Sequence, residues 1–380
     1  MSAETGRFAI IIHPQSIADF TKKFPFTRLL PGSFVERAFT AVPPFKASHI
    51  TGIVSATGAR AEGWFVALPW TPRVVLAMPP EVTTRRLVEA GRIAERLGAR
   101  IVGLAAFTKV VGDRGLTVAR ELSIGVTTGN SLTAATAVEG AVLAAARMGV
   151  PIRGARVAVI GATGSIGAAC SQMLVRQVGE LVLVARTRAR LERLAERLRA
   201  SSPGPVAITS DVREAVGSAD IVITVSSAID VLVEPEDLRS GAVVCDVSRP
   251  RNVSRLVYER RRDVLVIDGG VIDVPGPVEF GLDFGFPPGS CEACMAETIL
   301  LALEHRYNDY TLGAEVDLNR VEEIHALMRT HGFRLSGLRR FERRISDDEV
   351  DEIRRAAARG ASGAPPRAAA VPQGFGTADS

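Results

Sequence analysis

The sequence predicts an α/β protein: an N-terminal α/β domain, a doubly wound parallel sheet, and helices at the C-terminal end. Three observations predict it. Apolar strands alternate with helical stretches almost from the start of the chain. The run Arg156-Val-Ala-Val-Ile-Gly161-Ala-Thr-Gly164-Ser-Ile-Gly167 ends a strand in a glycine-punctuated turn that opens a helix at 168–178. A second apolar strand at 181–185 follows one helix later and completes a βαβ unit.

In chain order, the first block reads as strands at 8–12, 50–54, 64–68, 74–77 and 101–104. A helix at 83–97 repeats Leu87, Ala90, Ile93, Ala94 and Leu97 at helical spacing. Residues 131–148, rich in Ala and Val, read as a long buried helix. Strands then recur at 156–160, 181–185, 206–209, 221–225, 242–246 and 264–267, the rhythm of an open sheet covered on both faces. Helices return at 291–307 and 318–330. Past Arg359 the Ala/Pro/Gly run cannot bury a core and reads as a disordered tail. The expected division is 1–148, an α/β substrate and catalytic domain; 149–288, a Rossmann-type dinucleotide domain; 289–345, a helical segment; and 346–380, a charged extension and tail.

Composition narrows the function. A chain of 380 residues with 47% hydrophobic and 23% charged residues has the profile of a soluble globular enzyme. No stretch reaches the roughly 20 uncharged apolar residues of a membrane span. The N-terminus lacks a basic region followed by an apolar core, and four cysteines make no disulfide framework. A cytoplasmic setting is expected, and a net charge of +4 does not call for nucleic acid. Homo-oligomerisation is left open.

The glycine turn sets the first candidate site. Gly161, Thr163, Gly164, Ser165, Ile166 and Gly167 would lay a pyrophosphate against a helix N-terminus. NAD-selective sites usually carry an acidic residue at the end of the second strand, but this chain reads Ala185-Arg186-Thr187-Arg188. Guanidinium groups there suit a 2′-phosphate, so the expected cofactor is NADPH. Arg188 also reads as the start of a solvated helix. Ser226 and Ser227, at a strand's carboxyl end, are candidates for the nicotinamide ribose. Gly269 and Gly270 would let backbone approach the ring.

The second candidate is Cys294, in Ser290-Cys291-Glu292-Ala293-Cys294-Met295-Ala296-Glu297. With Ser290 as N-cap, Cys294 would lie in the first turns of a helix, where the dipole favours thiolate. The pattern alone leaves several readings open: a nucleophile, a Cys-x-x-Cys metal half-site or redox pair, or two buried structural cysteines. No metal site is expected, since Cys170 and Cys245 are isolated. Lysine use excludes one class outright. Lys22, Lys23, Lys46 and Lys109 are the only lysines, so the Tyr-x-x-x-Lys pair that short-chain dehydrogenases need after the cofactor turn is missing.

The segments Thr127-Thr128-Gly129-Asn130, Gly161 to Gly167, Val184-Ala185-Arg186 and Ala293-Cys294 to Leu301 stand in an order that resembles the long-chain acyl-(acyl-carrier-protein) reductases best known from cyanobacteria. Phe8 to His13 and Asp268-Gly269-Gly270 add to the likeness, which spans roughly residues 7–335. The resemblance implies NADPH-dependent reduction of a fatty acyl thioester to an aldehyde through a cysteine-bound acyl group, with Cys294 as the nucleophile. The carrier would be acyl carrier protein or coenzyme A. The family's Phe after the cysteine is Met295 here, and four prolines (275, 277, 287, 288) precede it, which bears on chain length and carrier.

On that scheme Thr127, Thr128 or the Gly129 and Asn130 amides would hold the oxyanion, or else merely cap the following helix. Glu297, three residues after Cys294 on one helix face, is a candidate proton source or a solvated surface residue. His13 is another candidate. The competing reading is an NADP-dependent alcohol dehydrogenase resembling shikimate or quinate dehydrogenases, with Lys109 and Asp113 moving the proton. A non-catalytic dinucleotide-binding sensor is a third.

Overall fold

The computed structural model describes residues 4–361, apart from 106, 107, 109–111, 229, 284 and 342 and the side chains of 21–23 and 361. Lys109 and the tail beyond 361 therefore lie outside the described residues.

The first sheet takes its strands from β1 (Gly6–Ile12), β2 (Phe45–Val54), β3 (Arg60–Ala67), β4 (Ile101–Leu104) and β5 (Gly125–Thr127), in the order β2-β3-β1-β4-β5. All are parallel except β2, which runs antiparallel to β3 at the edge. Among them lie α1 (Ile17–Lys23), α2 (Gly32–Thr40), α3 (Pro72–Ala77), α4 (Pro80–Arg96) and α5 (Leu116–Glu121). Helix α6 (Asn130–Met148) then leads into the second sheet, buried along most of its length. The strand expected at 74–77 is helix α3. Thr71 caps it by accepting from the Val74 amide, and Pro72 presets its first turn, which outweighs the β-branched Val74-Val75 pair.

The second sheet is built from β6 (Arg156–Ile160), β7 (Glu180–Val184), β8 (Val206–Thr209), β9 (Ile221–Thr224), β10 (Val243–Asp246) and β11 (Leu265–Asp268). They are wholly parallel in the order β11-β10-β9-β6-β7-β8. The connections are α7 (Ser165–Leu174), α8 (Arg188–Arg199), α9 (Val212–Gly217) and α10 (Arg255–Arg260). The central strands are buried on both faces, which is why they read as unbroken Val/Ile/Leu runs. Helix α8 turns Leu191, Leu194, Ala195 and Leu198 inward and its arginines outward. The strand order reverses between β6 and β9, and the crevice beyond the carboxyl ends of strands at such a switch point is where these sheets bind ligands. This is the α/β architecture expected, with a Rossmann-type second sheet.

After β11 the chain forms β12 (Val271–Asp273) and β13 (Ser290–Glu292), an antiparallel pair, and then α11 (Ala293–Leu303). Every residue of α11 is buried. Its Ile299, Leu300 and Leu303 share a core with Phe8, Ile10 and Ile101 of the first sheet, so this late helix covers a face of the earliest strands. Ser290 is not the N-cap expected; it sits in β13 with its hydroxyl donating to Asp273 Oδ1 at 2.8 Å, and Glu292 takes the cap position. Pairing with β12 overrides the local capping signal. Helix α12 (Leu318–Thr330) and strand β14 (Arg334–Leu335) follow, and then α13 (Asp347–Ala361). The charged stretch after 346 is thus helical as far as 361, with Asp347, Asp348 and Glu349 in a first turn that favours negative charge. Among the described residues no helix is long and apolar enough to cross a membrane.

Candidate active site

Two turns from distant parts of the chain meet around Cys294. The first is Gly269-Gly270 at the end of β11, whose Gly270 carbonyl accepts from the Ala293 amide at 2.8 Å. The second is Thr127-Thr128-Gly129-Asn130, between β5 and α6. Gly129 has φ of 71°, and a Cβ there would stand 2.3 Å from the Cα of Cys294. Only glycine lets the turn lie this close to the cysteine backbone.

Cys294 is 5% exposed, and its sulfur donates to Glu292 Oε2 at 3.7 Å. The Arg249 guanidinium lies 3.4 Å from Glu292 Oε1 and 3.8 Å from Asp268, and Arg251 pairs with Asp268 at 3.1 Å. Both arginines come from the loop after β10. Buried Asp246 organises that loop, accepting from the Thr224 hydroxyl and the amides of Ser248, Asn252 and Val253. Burial raises the Asp246 pKa against the pull of Thr224 and Arg249. His13, at the end of β1, is buried, which lowers its pKa, while the Glu292 carboxylate pulls it back up. The sulfur is therefore lodged in a mostly apolar core but meets Glu292, whose carboxylate is paired with Arg249. Cys291, wholly buried, has its thiol pushed well above its ordinary value. Burial likewise pushes Cys170 up to about 12, which keeps these thiols protonated.

Glu297 is fully buried, so the solvated alternative is corrected. Its Oε1 accepts from the hydroxyls of Thr127 at 2.5 Å and Thr311 at 2.9 Å, and its Oε2 accepts from the Leu132 amide at 2.9 Å. It ties α11 to the turn that opens α6. Thr128 gives both its amide and its hydroxyl to the Thr311 carbonyl, each at 2.9 Å. Glu292 and Arg249 escaped the sequence reading. The signal for Glu292 was its place two residues before Cys294; nothing local marked Arg249.

The two candidate sites adjoin. Asn130 Nδ2 donates to Ser165 Oγ at 3.0 Å, linking the first turn of α6 to the first turn of α7. Gly164 is the N-cap of α7, and a Cβ on Gly167 would fall 2.3 Å from the Gly161 carbonyl oxygen, so the helix packs tightly on the turn. Thr163 and Ile166 are half-buried on this turn. Ser226 follows β9 beside Gly161, and its hydroxyl accepts from the Ala228 amide; Ser227 lies next to it. Arg186 is exposed, with no acidic partner among the described residues. Thr187 is the N-cap of α8, and Arg188 pairs with Glu192 across one helical turn.

A family model described as Shikimate / quinate 5-dehydrogenase matches residues 143–268. The chain is 32% identical over 307 residues to the aminotransferase PigE of a Serratia species, covering 80% of this chain and 36% of that protein. This chain thus spans about a third of that relative's length. It is 28% identical over 310 residues to the long-chain acyl-(acyl-carrier-protein) reductase of Synechococcus elongatus, covering 78% of this chain and 88% of that one. Among solved structures, the quinate dehydrogenase of Corynebacterium glutamicum in complex with NAD aligns with a TM-score of 0.36 at 14% identity, over 85% of this chain and 99% of that one.

A nicotinamide dinucleotide fits the crevice. Glycines at 161, 164 and 167 let the turn and the start of α7 pack closely, and the buried Asn130 Oδ1 beside it has no hydrogen-bond partner among the described residues. Gly161, Thr163, Gly164, Ser165, Ile166 and Gly167 would hold the pyrophosphate, with Ser226, Ser227, Gly269 and Gly270 toward the nicotinamide end.

Proposed function

We propose that the chain is an NADPH-dependent oxidoreductase that reduces a fatty acyl thioester, carried on acyl carrier protein or coenzyme A, to a fatty aldehyde by way of an acyl group on Cys294. One observation carries the reading. A cysteine at a helix start, with a carboxylate on its sulfur, shares a single turn with an asparagine that reaches the dinucleotide crevice.

Glu292 takes the thiol proton as sulfur attacks the thioester carbonyl, aided by the positive end of α11. Arg249 offsets the charge of Glu292 so that carboxylate and nascent thiolate tolerate one another. The Asn130 amide at the start of α6, which abuts Cys294 at Gly129, steadies the oxyanion. Collapse of the tetrahedral adduct breaks the C–S bond to the carrier, whose thiolate leaves and is protonated. The dinucleotide, when bound, supplies hydride chemistry at this centre. Cleavage of the hemithioacetal then frees aldehyde and restores the Cys294 thiol. Glu297 acts as a positioning residue, and the Thr128 hydroxyl braces the turn.

Two expected results test this. Incubation with an acyl-coenzyme A or acyl carrier protein thioester, without dinucleotide, should add the mass of one acyl group to the intact protein. A protein of unchanged mass defeats the scheme. Arg186→Ala should weaken NADPH by about ten- to a hundredfold, from the loss of charge-assisted phosphate contacts, and leave NADH nearly untouched. Equal weakening of both in a binding titration removes the phosphate role.

A further inference from the structure

Four of the large apolar side chains exposed among the described residues fall within nine consecutive positions: Phe26 at 63%, Leu29 at 88%, Leu30 at 39% and Phe34 at 56%. The others, such as Leu76, Leu143 and Val231, are scattered along the chain. A cluster of this kind marks an interaction surface far more often than a lone exposed leucine does. The four lie on the segment joining β1 to β2, made of α1, a short 3-10 turn at Pro25–Leu29, and α2. They rest on an aromatic base in which Phe24 meets Phe26, Phe39 and Phe45 at centroid distances of 6.2, 5.4 and 6.5 Å, and Phe20 meets Phe39 at 4.3 Å. The segment is therefore a packed platform with an apolar outer face.

Its charges are sorted. Residues 17–40 carry Lys22, Lys23, Arg28 and Arg37 against Asp19 and Glu36. Both acids are turned to structural work: Asp19 accepts from the amides of Gln15 and Ser16, and Glu36 accepts from the Thr71 hydroxyl at 2.5 Å. Arg28 and Arg37 are exposed and have no acidic partner among the described residues. Exposed Phe and Leu beside unneutralised arginines is the composition of a segment that lies in the headgroup region of an anionic bilayer. A water-facing protein partner would have to supply both an apolar groove and acids in register; a bilayer supplies both without register.

We infer that the Phe26–Phe34 platform docks the protein onto an anionic phospholipid surface. The inference does not depend on the acyl-transfer reading, and its test uses neither thioester nor dinucleotide. The full chain is sedimented with vesicles of phosphatidylcholine alone or mixed with phosphatidylglycerol. Wild type should pellet with the anionic vesicles and be released by salt. The double variant Phe26→Glu/Leu29→Glu should partition roughly tenfold less or weaker still. Arg28→Glu/Arg37→Glu, which leaves the apolar face intact, should lose the preference for anionic vesicles; circular dichroism checks the fold of both. Wild type that stays in the supernatant, equal pelleting with neutral vesicles, or variants that pellet like wild type each overturn it. So does a variant whose only change is loss of a dimer in sedimentation equilibrium, since the platform would then join two copies of this chain.

Discussion

Cys294→Ala should abolish both aldehyde formation and covalent capture of an acyl group, while the dinucleotide still binds with wild-type affinity. The side chain is small and 5% exposed, so alanine leaves the packing of α11 almost unchanged, and the loss reads as chemistry rather than unfolding. Cys291→Ala is the control. Its thiol is wholly buried and held protonated, so acylation should persist in that variant. Turnover by the Cys294→Ala protein would end the acyl-enzyme scheme. Intact-mass analysis alongside a dinucleotide titration reads both halves of the result.

Glu297→Ala should cost about 3–5 kcal/mol of stability, because it strands three buried donors at once: the hydroxyls of Thr127 and Thr311 and the Leu132 amide. Glu297→Gln keeps one acceptor oxygen and should lose less. Trp64 and Trp70, both in the first sheet's outer core, report the unfolding by fluorescence in urea. An alanine variant as stable as wild type would mean that the carboxylate is not the clamp described above, and that its burial serves another end.

The second sheet was legible almost strand by strand. Arg156–Ile160 and Val206–Thr209 coincide with the expected bounds and the others fall within a residue; the central strands, buried on both faces, advertise themselves as apolar runs. Helix 318–330 was equally plain from its apolar spacing. The failures share a cause. Ser290 looked like a cap until β12 offered its backbone a partner. Val74–Ala77 looked like a strand although Thr71-Pro72 was a stronger, shorter signal. Glu297 looked solvated by local pattern, yet Thr127 and Thr311 bury it from two other segments. Arg249 reaches Glu292 only because Asp246 gathers its loop. In each case a contact distant in sequence outvoted the local code, and such contacts leave no trace in spacing.

The packing of α11 on β1 and β4 has a consequence for anyone who would recombine this protein. The helix that carries Cys294 comes late in the chain yet covers the earliest strands, so the stretch bearing the second sheet interrupts one packed body. Exchanging that module for another takes two splices, near 148 and near 289, and a chain halted before the second leaves the first sheet with an open, greasy flank. Assembly must also wait for β1 and α11, far apart in the chain, to find each other, a slow closure during which that flank stays available to chaperones or to its own kind.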